Sequence, residues 1–210
     1  MSAQRDRLVL GVVVLLVATT GCSVSRPSLQ RHSFSLSAEH AGRTAPVTNP
    51  AAFPATLKVG RISMQPPYGG TSFIYRTGEL RYEADPYNSF FAAPNDLLGH
   101  QIAQWLDRSG LFAAVREPAS PLTGDYVLEG LVTELYGDAR HADQPAAVLS
   151  LQLYMRRASA EGGLVFERSY SQRVAIDNAS PEALVRGYGA ALSRMLGALE
   201  NDLAALRLGG

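Results

Sequence analysis

Three stretches of sequence decide the fold: YVLEGLVTELY at residues 126–136, AVLSLQLYMRR at 147–157 and LVFERSYSQRVAI at 164–176. In the second stretch, apolar side chains alternate with polar ones, which puts the two kinds on opposite faces of a strand. A Glu-Gly-Gly turn at 161–163 separates it from the third stretch, so the two predict an antiparallel hairpin. The first stretch has the same character, and we expect it to extend the hairpin into a meander with one solvated face.

Two helices are predicted from capping residues and apolar spacing. The first begins at Pro94, with Asn95 or Asp96 near its cap, and ends at a left-handed Gly110. The second begins at Ser180 and Pro181, carries a stripe of apolar residues and extends to about residue 206. Glycines inside this second helix would weaken it, so they indicate a close approach to a neighbouring sheet; an interface with another helix through small residues would give the same pattern.

The amino-terminal half reads as short strands. Residues 32–36 predict an edge strand, 37–55 a loop, and 57–64 a strand with a β-bulge at Gly60. Residues 73–83 predict a hairpin that turns at 77–79. Strands therefore occur in runs separated by helices, which favours an α+β fold: a single domain with a largely antiparallel sheet and two helices packed on one face.

Composition excludes several classes of function. The chain has 210 residues, with 19 Lys and Arg against 19 Asp and Glu, so it carries no net charge. A nucleic-acid-binding protein needs surplus cations, and so does a polybasic membrane-surface protein. The single cysteine excludes an internal disulfide framework and a thiolate-rich metal site.

The first residues predict a targeting signal. Arg5 and Arg7 precede an apolar run at 8–17, and small residues lead to the sole cysteine, Cys22. The run is too short to span a bilayer core of ~30 Å. The arrangement resembles a bacterial lipoprotein signal, although that motif usually has Leu where Thr19 stands; the alternative is an ordinary secretory signal. The resemblance implies a signal peptide at 1–21, a lipid attached to Cys22, a flexible tether at 22–31 and a domain at 32–208.

Catalytic motifs are missing from the sequence. It contains no nucleophile elbow, no H-E-x-x-H and no phosphate-binding loop, and its four histidines are scattered. Glu129, Glu134 and Asp138 read as solvated charges on a strand rather than as paired catalytic carboxylates. We therefore expect no catalytic, cofactor-binding or metal-binding residues, and no enzymatic activity.

An aromatic cluster at residues 66–91 is the candidate partner surface. Core and turn packing would explain such a cluster, and so would a surface that binds a partner or a lipid. The residues selected as the candidate surface are Pro67, Tyr68, Phe73, Tyr75, Tyr82, Phe90 and Phe91.

The order of motifs resembles a known family. A lipobox, a Phe-x-Leu strand at 34–36, Pro-Pro-Tyr at 66–68, a hairpin with Ile-Tyr-Arg at 74–76, and Ser-Gly-Leu-Phe at 109–112 follow one another. This order is similar to that of the auxiliary lipoprotein component of ABC-type transport systems, over residues 32–206. Phe90 and Phe91 stand where that family usually has a Trp.

The resemblance implies a non-catalytic protein anchored on the periplasmic face of the outer membrane. Its expected partners are an MCE-domain protein and an ABC permease and ATPase that move lipid between membranes, and the protein could form homo-oligomers. Two alternatives stay open. One is a scaffold of another envelope machine, such as a secretin pilot or a lipopolysaccharide-assembly partner; the other is an envelope hydrolase.

Overall fold

The structure, a computed structural model, describes residues 30–40, 52–159 and 161–206. The described residues from Arg31 onward form one compact unit. Its elements, in chain order, are β1 (His32–Phe34), β2 (Phe53–Met64), β3 (Ser72–Arg76), β4 (Tyr82–Phe90), α1 (Pro94–Ser109), β5 (Phe112–Arg116), β6 (Tyr126–Asp138), β7 (Ala146–Arg157), β8 (Leu164–Ala175) and α2 (Pro181–Ala204).

The described strands form one eight-stranded sheet built around β6. On one side, β6 pairs along its whole length with β7, which pairs with β8; both pairings are antiparallel. The predicted meander is therefore confirmed. On its other side, β6 pairs with β2 through Tyr126–Val132 and with β3 at Gly137 and Asp138. Strand β5 lies beyond β2, while β4 and then β1 lie beyond β3.

The sheet is mixed, so the prediction of a largely antiparallel sheet was wrong. Strand β2 runs parallel to β5 and β6, β3 runs parallel to β6, and β1 runs parallel to β4. Alternation of apolar residues shows which side chains share a face of a strand, but it does not show the direction of the neighbouring strand. Parallel neighbours need long crossover connections, and here α1 lies within the crossover from β2 to β5.

Strand β2 begins earlier than the sequence predicts. It starts at Phe53, within the predicted loop, because the Phe53 amide donates to the carbonyl of Leu111 (2.8 Å) and its ring packs against Phe112 (centroids 5.2 Å apart). The predicted bulge at Gly60 is confirmed by a register shift between Val59 and Ile62.

Both helices begin and end close to their predicted positions. Helix α1 starts at Pro94 and is followed by Gly110 with φ 67°, but its N-cap is Ala93, which makes no side-chain capping bond. Helix α2 has the predicted cap: the Ser180 Oγ accepts from the amide of Ala183 (3.2 Å). It ends at Ala204, slightly before the predicted residue.

The two helices pack on the same face of the sheet. A Cβ at Gly187 of α2 would lie 2.6 Å from the Cβ of Ala147 in β7, so the helix approaches this strand very closely, as its glycines predicted. Gly99 of α1 lies over Ile62, which shares its face of the sheet with Leu153 of β7. Neither of the described helices lies on the other face of β6, β7 and β8, and we call it the open face.

Candidate functional site

The predicted partner surface divides into buried and exposed side chains. Phe73 is completely buried, and Phe90 and Tyr68 are almost so. Tyr75 is half-buried. Of the seven candidates only three are exposed: Pro67, Tyr82 and Phe91, the last with 77% of its surface accessible.

Phe73 and Phe90 belong to the hydrophobic core. Their rings meet edge to face with centroids 4.8 Å apart, and Phe34 of β1 lies 5.4 Å from Phe73. Phe90 also contacts Tyr188 of α2 at 6.0 Å. These rings join β1, β3 and β4 to the second helix, so partner binding is left to the exposed members of the cluster.

Tyr68 fills a gap along β6. Strand β2 ends at Met64 and β3 begins only at Ser72, so among the described elements no strand pairs with the intervening edge of β6. The connecting loop covers that edge: the Gln65 amide donates to the carbonyl of Val132 (2.9 Å), and the Tyr68 ring stacks on Tyr136 at 6.3 Å.

Tyr136 also meets Tyr82, whose ring packs edge to face against it at 5.6 Å. The sequence analysis missed Tyr136 because it assigned residues 126–136 to a strand and did not ask which loop covers that strand.

Three tyrosines, Tyr68, Tyr75 and Tyr188, remain protonated at physiological pH because each has a raised pKa. Burial, reinforced by Tyr82 and Glu134 nearby, raises the pKa of Tyr68 well above its ordinary value. Burial also raises the pKa of Tyr75 to about 12. The fully buried Tyr188 has a pKa well above 10, mainly because of burial, and its hydroxyl has no hydrogen-bond partner. The phenols are therefore neutral hydroxyl groups and not candidate general bases.

A buried carboxylate organises the carboxyl end of β6. Asp138 accepts from Arg140 through both carboxylate oxygens (2.9 and 2.7 Å) and also from Arg173 of β8. Hydrogen bonds from Arg140, against the opposing effect of burial, hold the pKa of Asp138 well below its usual range. It ties β8 and the loop after β6 to β6, because its two arginine partners lie on those segments.

The Arg76 side chain also makes contacts within the fold. Its Nη2 donates to the carbonyl of Glu79 (2.7 Å), and its guanidinium lies over the ring of Tyr82, 5.6 Å from the centroid. It therefore rigidifies the β3–β4 hairpin, whose turn places Leu80 almost fully in solvent. Leu80 is a second residue that the sequence analysis missed, since only aromatic and proline residues were counted.

Two histidines, His40 and His100, each contact a different single carboxylate. His100 contacts Gln104 and Glu117, whereas His40 contacts Glu200 (3.2 Å) and packs at a tilt against Trp105 (ring centroids 4.2 Å apart). In residues 30–40, 52–159 and 161–206, no three His, Cys, Asp or Glu side chains are grouped so that they could hold a metal ion.

The three carboxylates considered in the sequence are each engaged separately. Glu129 pairs with Arg156 (3.3 Å), Glu134 accepts from Ser150 (2.6 Å), and Asp138 is bound by its arginines. A cavity of about 710 Å³ between β2 and the start of α1 is lined by Arg61, Asn95 and Asp96 among others, and it brings no pair of carboxylates together.

Two further observations concern membranes. Within the described part of the chain, neither helix is both long and apolar enough to cross a bilayer. Cys22, the predicted signal peptide and all but the last two residues of the predicted tether lie outside the described residues.

Comparisons with known proteins give relatives by structure alone. The sequence matches no family model and no curated protein. A protein of Xanthomonas campestris assigned to family DUF330 superposes with a TM-score of 0.66 at 17% identity, covering 80% of this chain and 92% of its own. An uncharacterized protein superposes with a TM-score of 0.65 at 14% identity, covering 83% and 99%.

A lipoprotein from Neisseria meningitidis gives a looser match, with a TM-score of 0.40 at 15% identity over 73% and 100% of the two chains, and we draw nothing from it. At these identities a likeness establishes shared architecture only. The chain therefore has the same fold as the DUF330 protein.

Proposed function

We propose that this chain is a lipid-anchored protein of the bacterial envelope that acts by binding other proteins, as the auxiliary component of an ABC-type, MCE-dependent lipid transport system. In this proposal it is not an enzyme. It sits on the periplasmic face of the outer membrane and docks the MCE-domain protein, which works with a permease and an ATPase.

The position of Cys22 carries the proposal. It is the only cysteine of the chain, and it directly follows a basic and then apolar leader that ends in small residues. A single acyl chain binds a membrane only marginally, so stable anchoring needs more than one chain. Lipoproteins of this kind carry three, and the folded domain would therefore stay at the bilayer surface.

The exposed part of the aromatic cluster supports a binding role. Leu80 and Tyr82 project at the turn of the β3–β4 hairpin, whereas Phe91 projects just after β4, at the opposite end of the hairpin. Exposed apolar side chains that lie together on a rigid element, as Leu80 and Tyr82 do, suit a partner contact, and Phe91 would make a second, separate contact. The hairpin is such an element, because Arg76 and the Tyr136 contact hold it in place.

The anchor is tested with Cys22→Ser in the full-length chain. We expect the wild-type protein to sediment with envelope membranes and the variant to appear in the soluble periplasmic fraction. Mass spectrometry of the wild-type amino terminus should show an acylated Cys22. Continued membrane association of the serine variant, resistant to high salt, would show that the anchor lies elsewhere.

The partner is tested by cross-linking in envelopes and co-purification, followed by identification of the captured proteins. We expect an MCE-domain protein with wild-type chain, and at least a tenfold loss of capture with Leu80→Asp or Phe91→Asp. The matched control is Leu122→Asp, at a residue that is also exposed (55%) but lies outside the hairpin. Equal capture by all variants would contradict this surface, and capture of secretin or lipopolysaccharide-assembly proteins would favour another envelope machine.

A further inference from the structure

We infer that two copies of this chain pair through strand β8, edge to edge and antiparallel, with Tyr170 on the two-fold axis. This inference does not depend on the proposed transport role, because it concerns the sheet and not the aromatic cluster. It would join the two open faces into one continuous surface.

Strand β8 is the longest free edge of the described sheet. It has 12 residues and pairs only with β7, whereas the edge strands β1 and β5 have 3 and 5 residues. A long unpaired edge presents a row of free amides and carbonyls, which makes it a template for another strand. Most of its side chains are exposed or half-buried, so no described element covers it.

The register with β7 shows which backbone groups are free. The amide of Ile176 donates to the carbonyl of Pro145 (3.0 Å), and the pairing continues without interruption back to Phe166. In an antiparallel ladder, hydrogen-bonded pairs recur at every second residue. Even-numbered residues of β8 therefore bond to β7, and the odd-numbered residues 167–175 direct their amides and carbonyls outward.

One register makes this edge complementary to itself. With Tyr170 opposite its own copy, the outward-bonding Glu167 stands opposite Arg173 of the second copy, on the open face. On the helix face, Phe166 stands opposite Val174. The ion pair and the apolar contact each form twice, once on each side of the two-fold axis. The Arg173 guanidinium already binds Asp138, but about half of its side chain is exposed, and it can bridge both carboxylates.

Neighbouring registers lose this match. Placing Ser169 on the axis sets Arg173 against Val165 and Phe166 against Gln172. A shift in the other direction, with Ser171 on the axis, sets Arg173 against Ser169. The charged residues on β8 would normally discourage edge pairing, but here their order favours a single alignment.

Disulfide trapping in the full-length chain tests the register. Two Tyr170 residues would form a non-hydrogen-bonded pair with Cα atoms ~4.5 Å apart, which a disulfide can span. We expect Tyr170→Cys to form a covalent dimer on mild oxidation. The matched control is Arg168→Cys: four residues separate it from its copy along the strand, or ~14 Å, so it should not cross-link. The unsubstituted chain, with Cys22 only, provides the baseline. Equal trapping at positions 168 and 170, or none at either, would overturn the inference.

A second pair of variants tests the edge without changing its charges. Ser169→Pro removes an outward amide, which an edge strand tolerates because the ladder to β7 does not use it. Ser169→Ala keeps that amide. Light scattering on the full-length protein in mild detergent should give the mass of a β8-paired assembly for wild type and Ser169→Ala, and half that mass for Ser169→Pro. A wild-type monomer, or an unchanged mass for the proline variant, would refute the pairing.

Discussion

Two identical substitutions in α2 should have opposite effects on stability. Replacing Gly by Ala inside a helix gains about 1 kcal/mol from helix propensity. At Gly197 the new Cβ would lie 3.9 Å from the nearest atom, the Cζ2 of Trp105, so this gain is kept. At Gly187 it would lie 2.6 Å from the Cβ of Ala147 and 2.8 Å from the Cγ2 of Ile176.

Contacts this short are far inside the ~3.5–4.0 Å optimum for two carbons. The Ala147 Cβ cannot rotate away, so the helix must move off β7, and such overpacking costs about 1–3 kcal/mol. We therefore expect Gly197→Ala to stabilise the protein by about 1 kcal/mol. Gly187→Ala should be neutral or destabilise it by up to about 2 kcal/mol.

Urea and thermal unfolding of the two variants measure this difference. For a domain of this size 1 kcal/mol corresponds to about 2–4 °C in Tm. We expect the Tm of Gly197→Ala to rise by about that amount and the Tm of Gly187→Ala to lie several degrees below it. If both variants gained equal stability, α2 would not lie against β7 as described.

Three further substitutions test other parts of the structure. Phe73→Ala should lower the free energy of unfolding by about 3–5 kcal/mol, because it empties a core position. Phe91→Ala should change that free energy by no more than about 0.5 kcal/mol. Urea titration compares the two variants, and equal losses would refute the division of the aromatic cluster into buried and exposed residues. Asp138→Asn should cost about 1–3 kcal/mol at neutral pH. The folded pKa of Asp138 lies below its unfolded value of ~3.9, so the stabilisation is complete above that pH and is lost as the pH falls through the folded pKa. The urea midpoints of variant and wild type should therefore converge in strong acid. A constant difference between the two midpoints would contradict the ion cluster. Trp105→Phe and Glu200→Ala remove the same hydrogen bond, from the indole Nε1 to the Glu200 carboxylate (2.9 Å). A double-mutant cycle of unfolding free energies should therefore give a coupling of about 0.5–3 kcal/mol. If the effects of the two substitutions simply added, the bond would not form.

Local patterns predicted the carboxyl-terminal half of the domain well. The meander of β6, β7 and β8 joins neighbouring segments through short turns, so alternation within each strand was enough to infer the pairing. The Ser180 cap and the left-handed Gly110 are also local features, because each depends on a few adjacent residues.

The amino-terminal half depends on contacts between distant residues. Leu57 of β2 pairs with Tyr126 of β6, and nothing in either stretch specifies the other or its direction. The prediction that the aromatic cluster forms one exposed surface was wrong for the same reason. Phe73 lies in the core and Phe91 in solvent, although the sequence gives both the same apolar character.

Strands β2, β3 and β7 all pair with β6, so the position of β6 in the chain also sets the order in which the fold can assemble. During synthesis β2 is made before its neighbours β5 and β6, and its apolar Leu57, Val59 and Ile62 stay uncovered until those strands and the helices have followed. Non-local parallel pairings form slowly, whereas the meander closes between adjacent segments. A chain exported in an unfolded state would therefore expose its first long strand to aggregation until its last third had arrived, and we expect a chaperone to shield that strand during this interval.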